Sequence, residues 1–226
     1  MLKGWKQTII KGIDLLTPPK KPNLLGDRDI EWSWIAANIP NSGGIALDFG
    51  TGGGPLALLA AMKGYRVTGL DINEISWPYC HPSLTFTKGD ILKIALPKNN
   101  FDLIINCSTV EHVGISGRYD VIDEIEDGDL KAMDRLKTFM KPNGIMLLTI
   151  PVGLDAIFRP MHRVYGTERL PKLLKGYKII KEDFWVKNEK NNWILSEKGE
   201  ALKYPPRAGS TSLRSVYAIG CFCLHA

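Results

Sequence analysis

The chain has 226 residues, of which 44% are hydrophobic and 23% are charged, and its formal net charge is +5. This length suits one α/β domain with a sizeable core, and the composition is that of an ordinary globular protein. The basic excess is mild and spread along the chain, so it does not by itself indicate a nucleic-acid partner. The four cysteines and four histidines show no zinc-type spacing, which excludes a metal finger and predicts reduced, cytosolic cysteines.

The first 25 residues are predicted to be a helix and a linker. Residues 1–16 place apolar side chains at helical spacing, with lysines elsewhere on the wheel. Lys11 and Asp14 interrupt the apolar stretch, which excludes a secretory signal, and no segment approaches the length of a membrane span. We expect this helix to lie on the domain, and peripheral contact with a membrane surface is the alternative. A proline-rich linker follows, and residues 26–226 form the domain.

A glycine-rich turn between two buried strands organises that domain. Residues 45–49 form a short apolar strand that contains Asp48, and residues 66–70 form a second strand that Asp71 closes. Between them, glycines let the backbone turn sharply and approach a ligand, and Pro55 begins a helix. In an open parallel sheet, this crossover is where nucleotide-like ligands bind.

The spacing of the glycines separates two classes of nucleoside-binding protein. A dinucleotide fingerprint reads G-x-G-x-x-G, but Pro55 takes the place of its third glycine. The run from Asp48 to Gly54 is D-x-G-x-G-x-G, which resembles motif I of the class I S-adenosylmethionine (SAM) methyltransferases. The resemblance implies that Asp71 holds the ribose hydroxyls, that Asp90 meets the adenine amino group, and that Asp48 serves the cationic amino end. The predicted cofactor-binding residues are Asp48, Gly50, Thr51, Gly52, Gly54, Asp71, Ile72, Asp90, Ile91, Asn106 and Cys107.

The remaining elements complete an open sheet. A helix is predicted at residues 26–39, and its Arg28, Glu31 and Trp34 could face the cofactor, although packing or surface roles are the default for them. The other predicted elements are strands at 84–87, 101–106, 145–150, 178–185 and 215–223 and a helix at 129–141. The predicted fold is a Rossmann-like, doubly wound sheet of seven strands flanked by helices, mostly parallel with the last strand antiparallel.

The chain leaves the fourth strand above the expected reaction centre. Transfer to a hydroxyl needs a base, and histidine suits this task because its unperturbed pKa lies near neutrality. His112 and His162 are the candidates, and Glu111 could orient one of them or share a divalent cation with neighbouring acids, although no metal is predicted. Cys107 lacks the preceding proline of a cytosine C5 nucleophile, so we expect it to be a small buried residue.

Residues 100–176 carry a specific combination of motifs: SxVEHVG, Arg118-Tyr119, GDLKAM, KPNG, PVGLDAI and HRVYGTERLP. Together they resemble a family within the SAM-dependent methyltransferases that was catalogued as a domain of unknown function, DUF268. The resemblance implies a methyltransferase and supplies no substrate.

These observations predict a cytosolic class I SAM-dependent methyltransferase that releases S-adenosylhomocysteine. The predicted acceptor is a small polar molecule methylated on a hydroxyl, such as a sugar or a glycoconjugate. The predicted substrate-binding residues are Arg118, Tyr119, Arg159, Arg163 and Tyr165. Two alternatives remain open: a SAM-binding regulatory module without catalysis, and a nicotinamide-dependent oxidoreductase.

Overall fold

The computed structural model describes residues 26–119, 121–205 and 218–226. The helix predicted for residues 1–16 lies outside this part of the chain. The elements in chain order are α1 (Asp27–Asn38), β1 (Gly44–Phe49), α2 (Leu56–Met62), β2 (Tyr65–Asp71), β3 (Leu84–Lys88), β4 (Phe101–Cys107), a 3₁₀ turn (Val110–His112), α3 (Gly128–Phe139), β5 (Met140–Val152), β6 (Ala156–Phe158), β7 (His162–Val164), α4 (Arg169–Leu173), β8 (Lys178–Lys187), β9 (Trp193–Ser196), α5 (Lys198–Ala201) and β10 (Ala218–His225).

A single large sheet forms the centre, with the strand order β3-β2-β1-β4-β5-β10-β8-β9. Strands β1 to β5 are parallel, and β10 lies antiparallel between β5 and β8. This topology confirms the predicted Rossmann-like fold. In the described residues the sheet has eight strands rather than the predicted seven, because β9 pairs antiparallel with the end of β8.

The central strand β4 divides the core into two layers. Leu103 and Ile105 belong to the cluster under α1 and α2, whereas Ile104 belongs to the cluster under α3. Successive side chains of a strand point to opposite faces, so the continuous apolar run of this strand is what a sheet covered on both faces requires.

The strand order reverses between β1 and β4, and both strands end at the same edge of the sheet. Ligands bind at such switch points because the loops that follow the two strands diverge there. Helix α1 crosses this edge, where Trp34 Nε1 donates to Asp183 Oδ2 at 2.6 Å and Glu31 Oε1 accepts from Thr149 Oγ1 at 2.9 Å.

Two segments differ from the sequence prediction. Strand β5 already starts at Met140, beside a register shift against β4, whereas the strand was predicted to start at residue 145 and the preceding helix to reach residue 141. The segment after β5 forms an antiparallel hairpin, β6–β7, that was not predicted. Across the described residues, no helix combines the length and apolar character needed to cross a membrane.

Candidate functional site

A cavity of about 700 Å³ opens at the carboxyl edge of strands β1 to β4. This volume lies within the range of small-molecule sites, roughly 300–1,000 Å³. Its walls come from α1, from the turns after the four strands, and from the segment that precedes α3. Its lining includes Arg28, Asp48, Gly50, Thr51, Gly52, Gly53, Gly54, Asp71, Ile72, Asp90, Ile91, Lys93, Cys107, Ser108, His112, Tyr119 and Asp123.

The glycine-rich turn presents bare backbone to the cavity. Gly50 has φ +69°, and a side chain there would collide with Thr109. A Cβ on Gly53 would meet no protein atom within 4 Å, so the space beside it belongs to the cavity. From the outer side, Trp77 Nε1 donates to the Gly52 carbonyl at 3.1 Å and Tyr79 Oη to the Gly54 carbonyl at 2.5 Å. The turn is therefore held in place while its ligand-facing side stays open.

Three acids follow the strand ends along the cavity. Asp48 is buried and accepts a bond from Thr51 Oγ1 at 2.7 Å, and burial raises its pKa to about 6. Asp71 accepts from the Gly52 amide at 3.1 Å, which ties the second strand to the glycine turn. Asp90 accepts from the Leu92 amide at 2.8 Å. The structure thus brings together the three carboxylates that the sequence assigned to one site.

Of the predicted cofactor residues, Asn106 is the exception, because it does not line the cavity. Its side chain is fully buried, and its Oδ1 accepts from the Val110 amide at 3.3 Å. It therefore supports the 3₁₀ turn, and the structure does not bring it to the cavity with the other predicted cofactor residues. Cys107 does line the cavity. Burial raises its pKa well above the ordinary value, so it remains a thiol, as expected for a small buried residue.

His112 lies on the 3₁₀ turn and lines the cavity. Its Nδ1 contacts the Met161 carbonyl, which can only accept, so Nδ1 carries the proton and Nε2 carries the lone pair. Burial lowers the pKa of His112 to about 4, so the ring is neutral at pH 7. The ring of Tyr119 stands 5.5 Å away, edge to face.

The other two predicted catalytic residues lie behind His112. The ring of His162 is 6.4 Å from that of His112 and does not line the cavity. Glu111 is buried, and its Oε1 lies 3.7 Å from His112 Nε2. Burial raises the pKa of Glu111 to about 8, so it is mostly protonated at pH 7. Within residues 26–119, 121–205 and 218–226, no group of three or more His, Cys, Asp or Glu side chains is arranged to hold a metal ion.

Helix α1 adds an ion pair between a half-exposed Arg28 and a buried Glu31, which were not among the predicted site residues. Glu31 is 1% exposed and accepts from Arg28 Nη1 at 3.0 Å, from Thr149 Oγ1 at 2.9 Å and from Ser108 Oγ. Ser108 has φ +45°, a strained value for a residue other than glycine. The i,i+3 spacing of Arg28 and Glu31, facing the strand ends, was the sequence signal for this pair.

The predicted substrate residues separate into two groups. Tyr119 lines the cavity, with the Arg118 guanidinium 4.4 Å from its ring centre, and Arg159 forms an exposed pair with Glu124. Arg163 and Tyr165 are 1% and 0% exposed and do not line the cavity, so the structure does not bring them together with Tyr119.

Arg163 instead bonds backbone carbonyls of the segment before α3, and Tyr165 Oη donates to Asp129 at 3.1 Å. The sequence of a polar stretch does not distinguish an arginine or tyrosine that lines a cavity from one that belongs to a buried hydrogen-bond network.

Comparisons with known proteins agree with this geometry. The family model described as "Caenorhabditis protein of unknown function, DUF268" matches residues 92–205, about half of the chain, and the model described as "Methyltransferase domain" matches residues 46–128. The Bacillus subtilis (strain 168) protein named "Putative methyltransferase YqeM" is 28% identical over 128 residues, or 53% of this chain and 47% of YqeM. The chain thus spans about half the length of that curated relative.

Two solved structures share this fold over most of the chain. A Burkholderia thailandensis 1,6-didemethyltoxoflavin-N1-methyltransferase with bound S-adenosylhomocysteine covers 99% of this chain and 86% of its own, with a TM-score of 0.60 and 12% identity. The [4+2]-cyclase SpnF covers 85% of this chain and 79% of its own, with a TM-score of 0.60 and 16% identity. At such identities the likeness concerns the fold, and one fold carries several chemistries. The chain belongs to the DUF268 family, and its fold is that of the class I SAM-dependent methyltransferases.

Proposed function

We propose that the protein is a SAM-dependent methyltransferase whose acceptor is a small polar molecule methylated on a hydroxyl. The observation that carries this proposal is one continuous cavity lined by the bare glycine turn, by three strand-end carboxylates and by His112. The match to the methyltransferase domain model over residues 46–128 covers the same turn and all three acids, Asp48, Asp71 and Asp90.

The residues of the cavity suit SAM. The open space beside Gly52 and Gly53 admits a ligand against the backbone, and Asp71 stands next to it. Asp48, ionised at pH 7, is the partner for the cationic amino group, and Asp90 is the partner for the adenine amino group. When bound, SAM supplies a methyl group activated by the sulfonium. The chain has to position the acceptor and accept its proton.

His112 is the proposed proton acceptor. Its Nε2 holds a lone pair at neutral pH, because Nδ1 is committed to the Met161 carbonyl. A pKa near 4 makes His112 a weak base, so most of the rate advantage has to come from holding the acceptor against the methyl group. His162 and Glu111 act through His112: they pack behind it and fix its position.

The acceptor is proposed to be a hydroxyl compound, with sugars and glycoconjugates as the first class to test. Tyr119 supports this choice, because it borders the cavity beside His112 under the guanidinium of Arg118. An aromatic ring next to a cation suits the stacking and hydrogen bonding of a polyhydroxylated ring. A SAM-binding module without catalysis is the second candidate, favoured by the low basicity of His112.

Calorimetric titration tests the cofactor first. We expect SAM and S-adenosylhomocysteine to bind and NAD not to bind. Asp71→Ala should strongly weaken the binding of SAM and of S-adenosylhomocysteine, because it removes a cavity carboxylate and the acceptor of the Gly52 amide. Asp123→Ala is the matched control, since Asp123 lines the same cavity but has no assigned role.

A screen of hydroxyl acceptors with methyl-labelled SAM then tests the reaction. Label transfer to a hydroxyl compound supports the enzyme. Binding without transfer to any acceptor favours the module without catalysis, and binding of NAD alone would contradict the methyltransferase proposal.

A further inference from the structure

We propose that Arg28 is an anion-binding residue of the cavity that receives a carboxylate or a similar group of the ligand beside Cys107 and Ser108. This inference rests on the proposed function for the identity of the ligand. The anion site itself is inferred from the contacts of Arg28. An experiment can therefore contradict either the proposed function or the anion site without contradicting the other.

The guanidinium of Arg28 is only partly engaged. Its Nη1 bonds Glu31 Oε2 at 3.0 Å and lies 3.8 Å from Cys107 Sγ. Within the described residues, Nε and Nη2 make no hydrogen bond, and the side chain, which lines the cavity, is 45% exposed. An arginine held by one nitrogen keeps further N–H donors for an oxyanion.

Glu31 fixes the direction of that guanidinium. Its carboxylate accepts from Arg28, Thr149 and Ser108 and is almost completely buried, so it has little freedom to turn. A buried carboxylate needs its cation, and the cation is thereby held at the cavity wall without a ligand. Arg28 does not have to be ordered when an anion arrives, which favours binding.

The charges of the cavity are unevenly distributed. Asp48, Asp71 and Asp90 follow the strand ends, whereas Arg28 and Lys93 are the arginine and lysine among the described lining residues. Lys93 already lies 3.7 Å from Asp90 Oδ2, and its side chain is 82% exposed. Beside Cys107 and Ser108, Arg28 is therefore the cation that remains for an anion.

Two sources can supply the same chemistry. The methionine part of SAM carries a carboxylate, and an acceptor can carry a carboxylate or a phosphate. In both cases a negatively charged group of the ligand pairs with the free edge of the Arg28 guanidinium.

The test uses three probes on the full chain and on Arg28→Gln. S-adenosylhomocysteine carries the carboxylate, 5′-methylthioadenosine is the same thioether nucleoside without the amino-acid part, and inorganic phosphate is a free anion. Phosphate is titrated into the protein alone and into its S-adenosylhomocysteine complex. Lys93→Gln is the matched control, because it removes a cavity cation that already has a carboxylate beside it.

Two results support the inference and identify the source. If the anion belongs to the cofactor, Arg28→Gln lowers the affinity for S-adenosylhomocysteine by about tenfold or more and leaves the affinity for methylthioadenosine unchanged. If the anion belongs to the acceptor, Arg28→Gln leaves the affinities for both nucleosides unchanged and abolishes phosphate binding to the S-adenosylhomocysteine complex. Lys93→Gln should behave as wild type in both titrations.

Other results overturn it. If Arg28→Gln lowers the affinities for both nucleosides equally, Arg28 only supports Glu31. Unchanged nucleoside affinities, together with phosphate binding that is absent or independent of Arg28, would show that no anion binds there. If wild type binds no S-adenosylhomocysteine, the proposed function fails, and the phosphate titration of the protein alone still decides the role of Arg28.

Discussion

At the scale of single residues, burial shifts the pKa values of the site in opposite directions. It raises the pKa of Asp48 to about 6 and that of Glu111 to about 8, and it lowers the pKa of His112 and of His162 to about 4. At pH 7 the cavity is therefore lined by an ionised Asp48 and a neutral His112, and a neutral His162 and a largely protonated Glu111 lie next to His112 outside the cavity lining. The chemistry expected of each group follows from these charge states.

Ligand affinity should depend on pH through Asp48. A cationic amino group favours the ionised carboxylate, so below pH 6 binding has to remove a proton from Asp48. We expect the affinity for S-adenosylhomocysteine to be constant above pH 7 and to fall toward pH 5, approaching about tenfold per pH unit. Calorimetry in buffers of different ionisation enthalpy should detect the released proton.

Asp48→Asn provides the control for that prediction. The amide can still accept from Thr51 Oγ1 but does not titrate, so affinity should be lower at pH 7 and independent of pH between 5 and 7. Methylthioadenosine, which has no amino group on its side chain, should bind wild type equally at pH 5 and pH 7. A pH dependence that persists in Asp48→Asn would assign the titration to another group.

His112→Ala should separate binding from turnover. The affinity for S-adenosylhomocysteine should stay near that of wild type, while kcat with the acceptor found by the screen should fall by about 10²-fold or more. Because the pKa of His112 is about 4, wild-type kcat should not decline through this group between pH 8 and pH 5. A kcat that falls with an apparent pKa near 6.5 would point to an unperturbed histidine instead.

The sequence could predict those residues whose position in the cavity follows from strand geometry. Asp48, Asp71 and Asp90 stand at strand ends, and the ends of parallel strands meet at one edge of the sheet. Burial of Asn106 and Arg163 could not be predicted, because it depends on which distant segments pack over them. Both side chains satisfy backbone groups, and such networks leave no periodic pattern in the sequence.

At the scale of elements, the β6–β7 hairpin anchors the cavity wall at residues 113–119 and 121–126, here called the covering segment. Arg163 on β7 donates to the Val113 carbonyl at 2.7 Å and to the Glu126 carbonyl at 3.0 Å, which are the two ends of that segment. Its Nε also lies 3.6 Å from the buried Asp129 at the start of α3. One buried side chain thus connects the hairpin, the covering segment and α3.

Arg163→Lys should therefore destabilise the fold. Lysine keeps the charge but cannot reach both ends of the covering segment, so partly buried carbonyls lose their donors. We expect the free energy of unfolding to fall by about 2–4 kcal/mol, as measured by urea denaturation. Arg159→Lys on the same hairpin, at an exposed pair with Glu124, should leave the denaturation midpoint unchanged. Equal effects of the two variants would refute the anchoring role.

The short length of some strands explains why they were not predicted from the sequence. Strands β6 and β7 have three residues each, and β9 has four. An alternation of apolar and polar residues needs more positions than that to be recognised, whereas the apolar run of β4 has seven. Short strands form because a neighbour offers a free edge, and such a neighbour cannot be identified from the strand itself.

At the scale of the whole molecule, the cavity and its supports come from different parts of the chain. The described lining residues all lie between Arg28 and Ile125, whereas the DUF268 match covers residues 92–205. The second half of the chain supplies strands β5, β8 and β10 and the hairpin behind His112. A ligand in the cavity therefore touches elements that the rest of the sheet holds together.

This arrangement predicts that a cofactor-like ligand stabilises the whole fold. A ligand at 100 times its Kd that binds only the folded state adds about 2.7 kcal/mol, which should raise Tm by roughly 5–10 °C for a chain of this size. S-adenosylhomocysteine should produce this shift in a thermal melt followed by circular dichroism. The shift should grow with the logarithm of ligand concentration, because stabilisation by mass action depends on concentration relative to Kd.

The controls let the melt distinguish a SAM site from a nicotinamide site. NAD should leave Tm unchanged, because Pro55 stands where the dinucleotide fingerprint needs a glycine. Asp71→Ala should lose most of the shift with S-adenosylhomocysteine, while Asp123→Ala keeps it. A shift with NAD and none with S-adenosylhomocysteine would restore the nicotinamide alternative. A full shift in Asp71→Ala would place the ligand elsewhere, because a nucleoside in this cavity has to lie against the second strand, which Asp71 closes.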